Sequence, residues 1–195
     1  PANFDPKVAI NREMHTPGTF YKYNDTRVNM LAYSLLNIWR EPLDDVLRER
    51  IMNPIGASKE WEWHGYVNSW VDIDGQRMQS PSGGAHWGGG FFISTYDHAR
   101  FGYLFLRNGN WGGEQLISRQ WIEAATTPSE VNPSYGYMWW LNTESAVVEN
   151  APDSAFYGSG AGGNYIWVDQ ENDLLVVMRW MPRLSRVMPA IYDAL

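Results

Sequence analysis

Hydrophobic residues near the start of the chain follow the period of a helix. They lie three or four positions apart, at Val28, Leu31, Ala32, Leu35 and Trp39. This spacing predicts an amphipathic helix that is capped by Asp25 or Thr26 and extends through Arg40. A second, shorter helix is predicted after Pro42, because proline is tolerated in a first helical turn, and it stops before Asn53.

The middle of the chain alternates between loops and helices. Residues 60–64 alternate like a strand, and the glycine-rich stretches that follow them indicate loops. Capping residues then open a helix predicted over residues 94–107, and Ser118 opens another. Both helices carry an apolar face, which we expect to point inward.

The last third of the chain is rich in strand-forming residues. Its apolar, aromatic or β-branched runs cover residues 135–141, 155–158, 164–168 and 174–180. Residues 170–173 fit a hairpin turn, and a terminal helix is expected over residues 185–195. Helices followed by an antiparallel sheet that a helix closes form an α+β pattern.

Composition excludes several classes of protein. The chain has 195 residues, of which 44% are hydrophobic and 19% charged, and this balance argues for a folded domain and against disorder. The net charge of -7 leaves no basic stripe to follow a phosphate backbone, so nucleic acid is not an expected partner. No apolar run approaches the ~20 residues that cross a bilayer, and we expect no membrane span.

Two segments carry candidate chemistry, and the first contains Tyr23. This residue lies after the turn pair Pro17-Gly18 and just before the first predicted helix. Its hydroxyl would therefore stand at the start of a helix. A tyrosine in this position also fits simple packing with a locally satisfied hydroxyl, and the position alone leaves both interpretations open.

The second segment, residues 157–164, lies between two predicted strands. Glycine occupies four of the six positions from 158 to 163, which would let the backbone approach a ligand and leave N–H groups free for an oxyanion. An ordinary glycine-rich hairpin explains the same residues. Ser159 does not lie in a G-x-S-x-G nucleophile motif, because Tyr157 occupies the first glycine position.

Neither a metal nor a cofactor is predicted. Glu60, Glu62 and His64 would share one face of a strand at a spacing that permits a metal site. A solvated strand face or the rim of a pocket explains these three residues more simply. The chain contains no cysteine, which excludes a thiolate metal site and a disulfide.

Several motifs together resemble one family. Residues 17–25, Pro-Gly-Thr-Phe-Tyr-Lys-Tyr-Asn-Asp, are similar to the P-G-T-x-F-x-Y-S-N segment of β-lactamase-related serine hydrolases. Residues 88–102 are similar to the family's G-G-x-x-S-T-x-x-D-x-A-R-F-G stretch, and residues 158–177 resemble the strand pair of its third active-site motif. The resemblance covers nearly the whole chain in order. It implies the α+β fold of β-lactamases and transpeptidases, here without the segment that bears the nucleophile.

The resemblance also implies acyl-enzyme chemistry. In the family a serine attacks a carbonyl, a lysine and a tyrosine handle the proton, and backbone N–H groups hold the oxyanion. Tyr23 takes the position of the tyrosine, and Ala161 takes that of a residue whose N–H is one oxyanion donor. Gly158, Ser159 and Gly160 align with the Lys-Thr-Gly motif, which implies contact with substrate.

The chain departs from the family pattern in three places. No lysine follows a serine by three residues, so the Ser-x-x-Lys nucleophile motif is absent. Asp25 stands where the family has asparagine and adds a negative charge to the site. Gly158 stands where relatives carry lysine or histidine, so no cation is left there to hold a substrate carboxylate. The last two changes favour a small-molecule ester or amide without that carboxylate.

Aromatic side chains are further candidates for substrate contact. The chain has eleven Trp and eleven Tyr residues. Trp87, Tyr137 and Trp139 would line an acyl pocket, and packing in the core explains them equally well.

These observations lead to one hypothesis with one rival. We expect residues 1–75 to form part of the helical domain and residues 76–195 the second half of the sheet-bearing domain. The chain would be the carboxyl-terminal part of a serine hydrolase, inactive alone and paired with its own missing amino-terminal segment. The rival is a non-catalytic binding module derived from this fold. The resemblance slightly favours a periplasmic or extracytoplasmic location.

Overall fold

The computed structural model describes residues 15–83 and 90–195. The chain divides into two compact units, one of residues 1–48 and 61–92 and the other of residues 49–60 and 93–195. The mixture of helices and antiparallel sheets confirms the predicted α+β class. In the described ranges, no helix combines the length and the apolar character that a membrane span requires.

The first unit combines helices with a three-stranded sheet. Its elements are helix α1 (Asp25–Trp39), helix α2 (Leu43–Leu47), and strands β1 (Glu62–Ile73), β2 (Gln76–Pro81) and β3 (Gly90–Phe92). Helix α1 has the predicted position, and its N-cap is Asn24, whose side-chain oxygen accepts a hydrogen bond from the Arg27 N–H at 3.2 Å. A π-helical turn, Arg48–Met52, continues the chain after α2.

Strands β1 and β2 form a hairpin, of which the sequence predicted only the start of the first strand. The predicted strand stopped at residue 64, whereas β1 continues to Ile73 and pairs with Gln76 across a two-residue loop. Both loop residues, Asp74 and Gly75, have positive φ values of 54° and 78°. These angles fit the tight turn that joins antiparallel strands with their natural twist, and Asp-Gly is a favoured pair there.

A small core holds α1 against the hairpin. The buried members of this core are Leu36, Leu43, Ile73 and Met78, with Trp63 and Val71 packed against them. At the end of the helix, the Arg40 guanidinium forms a two-point ion pair with the Asp74 carboxylate in the hairpin turn. The end of α1 and the hairpin turn are therefore joined by buried apolar packing and by an ion pair exposed to solvent.

The second unit is a layered structure of helices and a four-stranded sheet. Its main elements are helix α3 (Thr95–Leu106), strands β4 (Asn110–Trp111) and β5 (Glu114–Gln115), helix α4 (Arg119–Thr126), strands β6 (Trp140–Leu141), β7 (Phe156–Gly160), β8 (Asn164–Asp169) and β9 (Leu174–Met178), and helix α5 (Leu184–Tyr192). Strands β6, β7, β8 and β9 are adjacent in that order and antiparallel.

Apolar side chains alternate between the two faces of this sheet. Ile166 and Val168 on β8 face a core built with residues of α3 and α4, such as Phe105 and Ile122. The intervening Trp167 faces the opposite core, which is built largely with α5. Because successive side chains of β8 point to opposite faces, the sheet has a core on each side. The unit therefore has three layers: helices, the sheet, and a further helix layer.

The predicted strand over residues 135–141 is mostly a turn in the structure. Only Trp140 and Leu141 form β6, and an isolated bridge joins Tyr135 to Trp140 around a tight loop. The loop is held by the Tyr137 N–H, which donates to the Ala125 carbonyl oxygen at 2.9 Å, and a Cβ on Gly136 would lie 2.1 Å from that oxygen, so glycine is needed there. Met138 in the same loop has a φ of 66°, which is incompatible with an extended strand.

The predicted hairpin turn at residues 170–173 is confirmed, and Asp169 organises it. The buried carboxylate of Asp169 accepts hydrogen bonds from the N–H groups of Glu171 at 3.0 Å and Asn172 at 3.2 Å. It also accepts a bond of 2.7 Å from the Tyr192 hydroxyl on α5. The same carboxylate therefore links the β8–β9 turn to the closing helix.

Candidate active site

Tyr23 lies immediately before helix α1 in the first unit. Its side chain is 40% exposed, and Asn24 between it and the helix serves as the N-cap. Asp25 is the first helical residue, where a carboxylate interacts favourably with the positive end of the helix dipole. Asp25 thus occupies a position that stabilises the helix, and its charge also acts on the phenol of Tyr23 two residues earlier.

The surroundings of Tyr23 keep its phenol protonated. Burial raises the pKa of Tyr23 above its usual value, and the negative charge of Asp25 raises it further. A tyrosine that accepts a proton from a nucleophile needs a lowered pKa, and both of these causes act in the opposite direction.

Strand β7 of the second unit carries the glycine-rich segment. Gly158, Ser159 and Gly160 pair along one edge with Ile166, Tyr165 and Asn164 of β8. Along the other edge, β6 pairs only with Phe156 and Tyr157. Among the described strands, none pairs with the second edge of β7 beyond Tyr157. An open edge of this kind can receive an extended substrate through backbone hydrogen bonds.

The turn after β7 presents the Ala161 backbone to solvent. Ala161 is exposed, and no turn or loop hydrogen bond among the described residues uses its N–H group. The peptide that carries this N–H is held through its carbonyl oxygen on Gly160, which accepts a hydrogen bond from the Gly163 N–H at 3.3 Å. The Asn164 side-chain amide donates to the Ala161 carbonyl oxygen at 2.7 Å and holds the next peptide of the turn. Gly163, with a φ of 78°, allows its carbonyl oxygen to accept the Met181 N–H at 3.0 Å. A fixed and unused N–H donor is what an oxyanion site requires.

Gly158 lies close to the core below the strand. A Cβ on this residue would lie 3.0 Å from Cγ2 of Ile166 and 3.9 Å from the ring of Trp139. A larger residue at this position would therefore require the Ile166 side chain to shift slightly. Glycine fits without that shift.

The predicted aromatic residues lie in different environments. Trp139 is only 8% exposed and packs against Phe105 and Phe156, with ring centroids 4.8 Å and 5.0 Å away. Tyr137 is 57% exposed, and its ring lies 5.8 Å from that of Trp121. Trp87 lies outside the described residues. Trp139 thus packs in the core next to Gly158 of β7, whereas Tyr137 is a surface side chain.

The three residues considered for a metal site do not form one cluster. Glu62 and His64 lie two positions apart on β1, and the imidazole Nε2 is 2.7 Å from a carboxylate oxygen of Glu62. Glu60 precedes the strand. Within residues 15–83 and 90–195, no group of three or more metal-ligating side chains is present.

Tyr23 and Asp25 therefore belong to the first unit, whereas residues 158–161 belong to the second. Within the second unit, the structure brings together the open strand edge, the Ala161 N–H and the supporting Trp139 ring. Sequence reasoning missed Asn164, although an asparagine directly after paired glycines is a common side-chain partner of a turn backbone.

An α+β fold with a glycine-rich strand end and a tyrosine at a helix start defines a serine-hydrolase-like fold. The β-lactamase family matches residues 7–181, and this chain belongs to that family. The identification by motif is therefore confirmed.

Individual relatives are distant in sequence. A protein of Escherichia coli O157:H7 named "Putative D-alanyl-D-alanine carboxypeptidase" is 21% identical over 197 residues, an alignment that covers 84% of this chain and 45% of the relative. The chain thus spans about half the length of the curated relatives it matches.

Solved structures show the same fold. A β-lactamase from Mycobacterium bovis matches with a TM-score of 0.65 and 21% identity, covering 92% of this chain and 65% of that protein. The simvastatin synthase of Aspergillus terreus matches with a TM-score of 0.65 and 14% identity, covering 91% of this chain and 55% of that protein. At these identities the similarity concerns the fold alone.

Proposed function

We propose that this chain is the carboxyl-terminal part of a serine hydrolase that acts through an acyl-enzyme on an ester or amide. The observation that carries the proposal is the exposed Ala161 N–H at the end of an open-edged strand. Membership of the β-lactamase family supports the same chemistry. Because the chain contains no Ser-x-x-Lys motif, the proposal requires a serine and a lysine from outside this sequence and an inactive isolated chain.

The proposed reaction follows the roles that the family resemblance implies for Tyr23 and Ala161. The serine oxygen forms a bond to the substrate carbonyl carbon while its proton passes to the Tyr23–lysine pair. The carbonyl oxygen becomes an oxyanion, and the Ala161 N–H donates a hydrogen bond to it. The carbon–leaving-group bond then breaks, and the leaving group takes up the proton. Water attacks the resulting acyl-enzyme and restores the serine by the same proton route in reverse.

The proposed substrates lack a carboxylate next to the reacting carbonyl. Gly158 supplies no cation, and packing against Ile166 disfavours a larger residue there. Asp25 adds a negative charge in place of an amide, which would repel an anionic substrate at short range. Both features favour an uncharged ester or amide over a β-lactam that carries a carboxylate.

One observation favours a second candidate, a non-catalytic binding module. Burial and Asp25 both raise the pKa of Tyr23, which is the reverse of what a proton acceptor needs. A chain that had lost catalytic activity would tolerate the raised pKa of Tyr23 and could still bind a ligand at the open edge of β7. The two candidates differ in whether any serine reacts.

The test is the intact mass of the purified protein together with labelling by a fluorophosphonate probe, which reacts with activated serines. A heavier species or a second co-purifying fragment, labelled at a serine outside residues 1–195, would support the hydrolase. The isolated 22.4 kDa chain should stay unlabelled under either candidate, so the binding module is supported if the complete protein that carries this chain also takes no label. Addition of a separately expressed upstream polypeptide tests whether two chains complement each other, since labelling would then depend on both.

A further inference from the structure

The chain leaves strand β9 in an unusual conformation. Trp180 has a φ of 56°, a left-handed backbone region that bulky residues rarely occupy. Its indole is 77% exposed, so packing does not stabilise this conformation by burying the ring. Strained backbone and a large exposed apolar side chain occur together at sites that contact ligands more often than elsewhere. The residue therefore needs an explanation beyond the fold.

Trp180 lies directly against the turn that holds the candidate oxyanion donor. A Cβ on Gly162 would be 2.6 Å and 3.0 Å from two atoms of the indole ring, so only glycine lets the ring approach this closely. The next residue, Met181, donates its N–H to the Gly163 carbonyl oxygen at 3.0 Å. The exposed ring thus lies beside the two residues that follow Ala161.

The neighbouring cation does not make this surface polar. The Arg179 guanidinium donates to the carbonyl oxygens of Ile93 at 2.9 Å and Ser94 at 3.3 Å. Its hydrogen bonds are directed into the start of helix α3. The side of the turn that faces solvent therefore presents an indole, without a charged group from residues 179–181.

We infer that Trp180 is the apolar wall against which the acyl group of the substrate packs while Ala161 holds its carbonyl oxygen. This inference rests on the proposed hydrolase function and specifies its substrate class. The acyl group is uncharged and either aromatic or a longer alkyl chain, because a flat indole gains contact area with such groups and little with an acetyl group. Trp180 is in this view a specificity-determining residue.

The experiment compares 4-nitrophenyl esters of acetate, butyrate, octanoate and benzoate on the complete protein that carries this chain. Trp180→Ala should lower kcat/KM for octanoate and benzoate by about tenfold or more, the order expected for lost apolar contact in a pocket, and change the acetate value little. Trp180→Phe should retain most of the preference. Trp70→Ala is the matched control, since this indole is 47% exposed on β1 of the first unit and should leave the whole series unchanged.

The outcomes separate this inference from the function it rests on. An equal loss for all four esters would mean that Trp180 only braces the turn, and an unchanged series would mean that it contacts no acyl group. Either result overturns the inference while the hydrolase stands. A wild-type protein that neither hydrolyses the esters nor takes the fluorophosphonate label overturns both. If Trp180→Ala fails to fold, Trp180→Gln compared with Trp180→Phe gives the same contrast between polar and aromatic walls.

Discussion

At the scale of single residues, Asp25 is the change with the most direct effect on the candidate chemistry. It raises the pKa of Tyr23, although burial contributes more. Asp25→Asn restores the residue that the family carries and removes the charge. We expect the pKa of Tyr23 to fall in this variant and to stay above its ordinary value, because burial is unchanged.

Carbon-13 NMR of labelled tyrosine side chains measures this pKa, with Tyr23→Phe to assign the signal. Asp44→Asn is the control, because Asp44 also lies in the first turn of a helix of the first unit. It should leave the titration of Tyr23 unchanged. An identical curve for Asp25→Asn and the wild type would show that the two side chains are not electrostatically coupled.

His98 is a second residue whose environment determines its charge. Burial, with the nearby positive charge of Arg179, lowers the pKa of His98 to about 4, and its Nδ1 has no hydrogen-bond partner among the described residues. The unfolded chain binds this proton near the ordinary pKa of about 6.5. The native state binds it only nearer pH 4. Between these values the unfolded state holds more protons, so stability falls as the pH is lowered.

We therefore expect His98→Gln to unfold with less dependence on pH than the wild type between pH 6.5 and 4. The difference should reach at most about 3 kcal/mol across that window. Urea unfolding at several pH values measures it, and the contribution of other groups cancels in the comparison. His64→Gln, at a more exposed histidine, is the control. Parallel curves for the wild type and His98→Gln would contradict the prediction.

At the scale of elements, helix α3 depends on a buried carboxylate. Asp97 is 1% exposed and accepts hydrogen bonds from the Ser58 N–H at 3.0 Å, the Ser58 hydroxyl at 2.6 Å and the Ser94 hydroxyl at 3.0 Å. Arg100 donates to it at 3.0 Å. Burial opposes ionisation, but these bonds and the Arg100 charge outweigh it and hold the pKa of Asp97 below its usual value.

We expect Asp97→Asn to lower the free energy of unfolding by about 2–3 kcal/mol, because an amide leaves one buried donor facing another donor. Urea unfolding at neutral pH measures this loss. Asp153→Asn is the matched control, since Asp153 also accepts from a serine N–H and hydroxyl, but at an exposed site. It should cost much less. A comparable loss in both variants would mean that burial of Asp97 does not govern the effect.

The elements also show what the sequence could predict and what it could not. Helix α1 and strand β8 follow clear periods of 3.6 and 2, and both were predicted. The β1–β2 hairpin was recognisable from Asp74-Gly75 and was overlooked. The loop at residues 135–139 was not recognisable locally, because it is held by the hydrogen bond from the Tyr137 N–H to the Ala125 carbonyl oxygen and needs glycine at position 136. Local patterns do not contain such long-range contacts.

At the scale of the whole molecule, the candidate residues are divided between the two units. Family motifs identified Tyr23 and Ala161 without information on their separate environments. The raised pKa of Tyr23 depends on local burial and on Asp25, and the orientation of the Ala161 N–H depends on the turn after β7, where Gly163 donates to the Gly160 carbonyl oxygen. Neither property is encoded in residue type alone. The proposed hydrolase needs a nucleophile that this sequence does not contain, so its decisive test uses the complete protein.

That test concerns the Ala161 N–H, which Ala161→Pro removes. If this group is an oxyanion donor, the rate of ester hydrolysis or of fluorophosphonate labelling by the complete protein should fall by about 10²–10³-fold, the usual cost of losing one such donor. Ala194→Pro removes an N–H at the exposed carboxyl-terminal end, where it donates to the Ile191 carbonyl oxygen, and should leave the rate nearly unchanged. Thermal unfolding checks that both variants fold. A folded Ala161→Pro protein that reacts at the wild-type rate would place the oxyanion site elsewhere, because a proline nitrogen cannot donate.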